Sequence, residues 1–541
     1  MKKNKKLYHV INISIITGVL VLFLIFIQNQ KIVNLYHYDG DNQWLTASTI
    51  KFVNNWLKDG IINDKFIMYE DFKSIEFEND SREIYNSYPP GCIIPVYIFA
   101  KIIGLKEISI QNMKSFIFYE YILCSIFIGI FFYIFSYLIN FRFRYLIVLF
   151  PIILALIWAY LPFNYYYFRN VYFSDIAIIP ISILFLTIEL VKHNKSNSRF
   201  NKILNLISFL LILIGVLTDY YFLSLTFSCF LSRFIFLYKE NNNILKGCLN
   251  TIGKSKDVIF GILIGISLFV YQLMNIPDGF KKLINKFTER TSSSIDNTMF
   301  INHDIILKSE SIFTKFRLNF GSSIPSIIMY LTLVILILTI INVIINKKYN
   351  LINYFLLIIT FSCVLHSILL YNHTMRHEFS ILKFCIILVF IIFYFMYYIL
   401  NLLFNYQGKI YKAFFLFSLV LTIPFIYYLI YWDNKYYIQR TRQINIENEN
   451  LSNFIRNNTN YKDVVFSPYF EINTNPPLNL SISQKRVYKI NSLMDINEFK
   501  SLKKINVLIL LKKDSVEKYK DWVNSKSSNY KQYKNWILIK N

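Results

Sequence analysis

Apolar runs of about 18 residues or more, almost free of charge, recur along the whole chain. They lie near residues 7–27, 116–139, 145–162, 176–191, 203–218, 220–238, 258–276, 323–345, 351–370, 380–400 and 413–432. Such runs can cross a hydrocarbon core of roughly 30 Å as helices, and their continuous rather than alternating pattern favours helices over barrel strands. The pattern predicts a polytopic α-helical membrane protein of about eleven transmembrane helices. One shorter run, 91–104, follows two prolines and carries Lys101, and it reads as a helix lying against the membrane surface.

Lysine and arginine in short connections mark the cytoplasmic side. With 91–104 left out, every second connection is basic. The series runs through Lys2 to Lys6, Arg142 and Arg144, Lys192 to Lys202, Lys239 to Lys256, Lys347 and Lys348, and Lys409 and Lys412. This places the N-terminus in the cytoplasm and the C-terminus outside, in a cell membrane. The first run follows lysines as a signal peptide would but lacks a small-residue cleavage site, so it reads as an uncleaved anchor.

Composition agrees, with 55% hydrophobic residues among 541 and a mean hydropathy of +0.40. The net charge of +24 is carried largely by these topology signals and does not indicate nucleic acid. Six cysteines form neither CxxC pairs nor a disulfide framework. The Asn, Ile, Lys and Tyr content suggests an AT-rich, bacterial genome.

Residues 1–432 are expected to form the transmembrane domain, with external loops at 28–115 and 277–322. Residues 433–541 are expected to form a small α/β extracytoplasmic domain, from the apolar β-rich runs at 463–468, 505–511 and 535–540. The tail has no His or Cys, which favours an accessory or acceptor-binding role. The basic connections hold no Gly-rich phosphate loop, which argues against a nucleotide-driven pump.

Candidate chemistry gathers in the external connections. Asp39 and Asp41 follow the first span and precede apolar positions (Trp44, Leu45, Ile50, Phe52, Val53, Trp56, Leu57) spaced for an amphipathic helix that could lie flat on the membrane. A carboxylate there could take a proton from an acceptor hydroxyl, or the pair could simply cap the helix. Tyr88-Pro89-Pro90-Gly91 makes a rigid turn, equally readable as punctuation. Arg169 and Asp175 sit among aromatics of an interface belt, where the arginine could bind a lipid phosphate and the aspartate could orient it or a metal. His373, Arg376, His377 and Glu378 form a titratable cluster, with His366 shortly before it. His373 and His377 are spaced to share a helix face and one metal or phosphate, or to join a structural network. Arg290 and neighbouring lysines of 277–322 could grip a polyprenyl phosphate or form a solvated face.

Together these features resemble the GT-C membrane glycosyltransferases, particularly the protein mannosyltransferase and aminoarabinose transferase group. The shared order is an acidic motif after helix one (Asp39-Gly40-Asp41), a Pro-Pro turn (Tyr88 to Gly91), an Arg-to-Asp segment (Arg169 to Asp175) and a C-terminal external domain. His373 to Phe379 looks like the His-x-x-x-His-(Asp/Glu)-aromatic stretch of some bacterial relatives. This chain departs from the adjacent Asp-Glu pair by placing a glycine between two aspartates, and Trp44 favours Asp41 as the match. The resemblance implies inverting transfer of a sugar from a polyprenyl-phosphate donor to a glycan, lipid or protein acceptor outside the cell. It implies Asp41 or Asp39 as base. Arg169, Arg376, Arg290 or the His373/His377 pair would steady the phosphate, directly or through a divalent metal.

A transporter or flippase for a lipid-linked saccharide would instead place charges inside several spans. An O-antigen polymerase or ligase would carry its main external loop late in the chain. The topology distinguishes these readings. Reporter fusions at residues 80 and 300 should report the outside and one at 143 the cytoplasm; the inverse pattern would reverse the orientation derived from the basic connections.

Overall fold

A computed structural model describes residues 2–29, 43–69, 84–139, 141, 146–161, 164–165, 167–168, 171–194, 198–241, 243–291, 334, 336–341, 350–370, 373–374 and 378–405. In the C-terminal part it describes 451, 454–455, 457–459, 464–467, 487–489, 507–512, 530–534 and 536–540. The first part is almost wholly helical. Its elements are α1 (Lys2–Asn29), α2 (Gln43–Asp59), a two-stranded ribbon of β1 (Met68–Tyr69) and β2 (Ile84–Tyr85), α3 (Ile94–Ile102), α4 (Ile110–Leu138) and α5 (Leu146–Tyr160). Then follow α6 (Ser174–Asn194), α7 (Ser198–Val216), α8 (Tyr221–Asn241), α9 (Ile244–Lys254), α10 (Lys256–Met274), α11 (Gly279–Thr291), α12 (Leu351–Leu369) and α13 (Cys385–Asn405).

Among the described residues, six helices are long and apolar enough to cross a membrane: within α1, α4, α6, α8, α10 and α12. Four shorter apolar helices accompany them, at Pro90–Ile102, Ile147–Tyr160, Phe200–Val216 and Leu382–Tyr398. The chain is a multi-pass membrane protein. The expected run 413–432 and most of 323–345 lie outside the described residues. At nine residues, α3 is about 14 Å long, too short to span.

Apolar burial gives no net drive between helices in lipid, so close packing and buried hydrogen bonds must do so. Phe131, Phe132 and Phe135 of α4 interlock with Phe390 of α13, and Phe131 and Phe135 also meet Phe355 of α12, at ring separations of 5.2 to 6.3 Å. On α1, His9 and Asn12 both reach the Tyr133 hydroxyl of α4, at 2.7 and 3.1 Å. Gly261 and Gly265, four residues apart on α10, form a Gly-x-x-x-Gly face against α7. A Cβ at Gly261 would lie 2.7 Å from Ile212, and one at Gly265 would lie 2.9 Å from Val216.

The spacing after Asp41 does give a helix, α2, and it is covered by protein on its polar as well as its apolar side. Polar as well as apolar positions are buried, including Thr46, Thr49, Asn54 and Asn55 beside Leu45, Phe52 and Trp56. These side chains satisfy neighbouring backbone. Thr46 accepts from the Tyr172 N–H at 3.0 Å, Thr49 donates to the Tyr172 carbonyl at 3.1 Å, and Trp56 donates to that of Ile67 at 2.9 Å.

In the C-terminal part, β3 (Val464–Ser467), β4 (Val487–Lys489), β5 (Val507–Lys512), β6 (Tyr530–Tyr533) and β7 (Trp536–Lys540) form one sheet in the order β4-β3-β5-β7-β6. β3 runs parallel to β4 and β5, while β7 is antiparallel to β5 and β6. Val465, Leu510 and Leu538 pack with Leu451 and Ile455 into a small core of its own.

Lys192, Lys239, Lys254 and Lys256 fall at one end of the bundle, termed here the basic end. The Gly-x-x-x-Gly contact yields a direct test. Replacing Gly261 and Gly265 together by leucine overpacks the α7–α10 seam, at a cost of about 1 to 3 kcal/mol per site. The melting midpoint in mild detergent should fall markedly, whereas Gly253→Leu, where a side chain meets open space, should leave it nearly unchanged.

Candidate functional site

At the end opposite the basic one, α7 turns into α8 through Leu217 to Tyr220. Asp219 caps α8, its Oδ1 accepting the Tyr221 N–H at 2.7 Å. The Pro-Pro turn is pinned to this junction. Pro89 and Pro90 are buried, Pro90 opens a single 3-10 turn, and the Gly91 N–H donates to the Leu217 carbonyl at 2.7 Å. Any Cβ at Gly91 would overlap that carbonyl, so the approach requires glycine.

Asp175 lies in the first turn of α6, where the partial positive charge of the helix N-terminus favours a carboxylate. Across from it, Lys383 comes from the 3-10 segment Glu378–Phe384 that leads into α13. Its ammonium donates to Asp175 Oδ1 at 2.6 Å and to Asp219 Oδ1 at 3.4 Å, and lies 3.0 Å from His366 Nε2. An ammonium has only hydrogens to offer, so this imidazole nitrogen accepts and the ring proton sits on Nδ1. All four side chains are buried. A buried ammonium is costly unless paired, and here two carboxylates compensate one cation. Tyr221 lies under the lysine at 5.6 Å and bonds Ser362 at 3.2 Å, which ties the group to α12.

The other side of the junction is aromatic and cationic. Tyr88 stacks on Tyr220 at 5.5 Å, and its hydroxyl meets His373 Nε2 at 2.8 Å. Arg290, from the last turn of α11, lies 4.2 Å over the Tyr88 ring and donates to the Ser87 carbonyl at 2.8 Å. Burial pushes the Tyr88 hydroxyl well above its ordinary pKa, with Arg290 pulling it back, and pushes Tyr220 up to about 12. Both remain neutral donors at physiological pH. Burial likewise raises the Asp219 carboxyl, against the pull of Lys383 and helped by the charge of Asp175. Asp219 Oδ2 and the Tyr220 hydroxyl are buried without a hydrogen-bond partner among the described residues. Such orphaned groups are costly unless a ligand or water satisfies them.

The structure therefore brings together Asp175, Tyr88, Pro89, Pro90, His373 and Arg290 of the expected site. Asp39, Asp41, Arg169, Arg376 and His377 lie outside the described residues, as does the side chain of Glu378. Among the described residues no three His, Cys, Asp or Glu side chains are grouped to hold a metal. Asp219 and Lys383 are central, yet the sequence reading gives neither a role. Lys383 was legible as a lone charge inside the apolar run 380–400, since intramembrane charges are functional by default. Asp219 stands between two runs with almost no residues to spare, so it has to sit in a tight turn at the membrane edge.

No family model and no curated protein matches the sequence. Among solved structures, the oligosaccharyltransferase of Archaeoglobus fulgidus, tethered to an acceptor peptide containing the NVT sequon, is similar over 95% of this chain and 70% of that chain. It has a TM-score of 0.51 at 9% identity. ArnT from Cupriavidus metallidurans is similar in its apo state over 97% of each chain, with a TM-score of 0.47 and 11% identity. Its complex with undecaprenyl phosphate covers 98% of this chain and 97% of that one, at 0.46 and 10%. At these identities the oligosaccharyltransferase likeness establishes architecture and nothing finer: this chain has the GT-C fold.

Proposed function

We propose that the chain is a membrane glycosyltransferase that moves a sugar from a polyprenyl-phosphate carrier to an acceptor on the extracytoplasmic face. The observation that carries this reading is the meeting of Asp175, Asp219, Lys383, Tyr88, His373 and Arg290 at the end of the bundle opposite the basic one. The fold is shared with an enzyme named for oligosaccharide transfer and crystallised with an acceptor peptide. A membrane-embedded donor and a water-soluble or surface acceptor can both reach such a position.

The chemistry has two demands. An acceptor hydroxyl must lose a proton as it attacks the anomeric carbon, and the departing lipid phosphate must have its growing charge met. Asp41 is assigned the base, with Asp39 as alternate. Both precede α2, whose Thr46 and Thr49 bond the backbone of Tyr172, three residues before Asp175. Attack opposite the leaving phosphate inverts the anomeric centre. Arg290 is positioned to meet the phosphate, and Arg169, Arg376 and the His373/His377 pair are further candidates, directly or with a divalent metal. The Tyr220 hydroxyl and Asp219 Oδ2, both without a partner among the described residues, can bond the hydroxyls of a sugar. Residues 433–541 are assigned as an extracytoplasmic domain that helps to hold the acceptor.

Loss of a positioned base costs on the order of 100- to 10,000-fold in rate. Mass spectrometry of surface glycans and glycoproteins should show a mass increment with the active gene that vanishes with Asp41→Asn, or with Asp39→Asn if that residue is the base. An increment unaffected by either substitution would remove the base assignment. Movement of an unmodified lipid-linked saccharide across vesicles, with no covalent product, would replace the enzyme reading by a transporter.

A further inference from the structure

A second charged group is buried at the basic end, remote in the fold from the site above. Glu189 of α6 accepts from Lys192 at 2.9 Å and from Arg233 of α8 at 2.5 Å. Asp257, in the first turn of α10, accepts from Lys192 at 2.5 Å and from the Ser208 hydroxyl of α7 at 2.6 Å. Arg233 also donates to Ser255 Oγ at 2.9 Å and to the Lys254 backbone carbonyl at 3.2 Å. Two carboxylates and two cations cancel, and together they tie four helices.

This network forms one wall of a cavity of about 850 Å³. Two further lysines, Lys254 and Lys256, reach its rim, where Glu240 is the one acidic residue outside the network among the described residues. Both lysines are exposed. The buried carboxylates are already matched, so the uncompensated charge facing the cavity is positive. Part of the lining is apolar and includes Leu206 of α7 and Phe260 of α10. These two side chains are 59% and 56% exposed on helices of a membrane bundle, so that part continues onto the lipid-facing surface.

We propose that this cavity binds the phosphate headgroup of an anionic phospholipid. The phosphate lies against Lys254 and Lys256, and the glycerol and first acyl carbons lie along Leu206 and Phe260. A soluble anion would satisfy the lysines but leave the apolar lining unused, whereas a phospholipid matches both. Bound there, the lipid bridges α7, α9 and α10 and supports the seam made by Gly261 and Gly265. The occupant is independent of what the opposite end catalyses.

The test uses the full-length protein in phosphatidylcholine nanodiscs into which phosphatidylglycerol is titrated, with the thermal midpoint as readout. The wild-type midpoint should rise and saturate. Lys254→Ala with Lys256→Ala should need on the order of 30-fold more phosphatidylglycerol for the same rise. Arg233 holds Lys254 through its backbone carbonyl, so alanine there keeps that bond and the fold. A control that removes the same charge elsewhere, Lys101→Ala with Lys106→Ala, should respond like wild type. Equal responses from both double variants would overturn the proposal. So would an equal rise on adding inorganic phosphate to discs of phosphatidylcholine alone, which would assign the cavity to a soluble anion.

Discussion

A lysine ammonium inside a helix bundle must be paired where water cannot reach it, and the geometry of the candidate site follows from how Lys383 meets that demand. Its two carboxylate partners come from the start of α6 and from the α7–α8 turn, and its imidazole partner from the end of α12. Four parts of the bundle are thereby fixed at one point. The Pro-Pro turn is bonded to the same α7–α8 turn, so Tyr88 is set beside it, and Tyr88 in turn sets His373 and Arg290. One charge requirement thus organises side chains widely separated in the sequence.

The two ends of the bundle handle charge differently. In the buried network at the basic end two acids and two bases cancel, Glu189 and Asp257 each being matched by a cation. At the opposite end the one ammonium of Lys383 is shared by Asp175 and Asp219, Arg290 stands apart over Tyr88, and Asp219 Oδ2 has no hydrogen-bond partner among the described residues. A balanced network suits holding helices together. One with orphaned groups suits a ligand rich in hydroxyls, and this is why the chemistry is assigned there. A transporter reading predicts charges inside several spans, and Glu189, Arg233 and Lys383 are such charges. They are, however, paired within the protein.

What the sequence revealed depended on whether the signal was local. Span positions follow from apolar run length, and α4, α6, α8, α10 and α12 fall close to the expected runs. The Pro-Pro turn and Asp175 were visible because prolines and a carboxylate at a membrane edge are unusual in themselves. The burial of α2 was not visible, since its apolar spacing suits a membrane surface as well as a protein interior. Only its bonds to Tyr172 and Ile67, distant in the sequence or across a turn, decide between them. Arg290 was one cation among several in a long loop, and only its placement over Tyr88 singles it out. Asp219 and Lys383 gain meaning as partners, 164 residues apart, and no pattern within one segment announces a pair of that kind.

The organising role of Lys383 is open to a double-mutant cycle on unfolding stability in mild detergent, with Lys383→Met, Asp175→Asn and the two combined. Lys383→Met leaves two buried carboxylates without their cation, at a cost of about 3 to 5 kcal/mol, whereas Asp175→Asn leaves Lys383 paired with Asp219 and costs less. Removing both relieves part of that penalty, so the double variant should be more stable than the sum of the single losses by more than about 1 kcal/mol. Losses that add to within about 0.5 kcal/mol would mean that the two side chains act independently, and would contradict a site built around this ion pair.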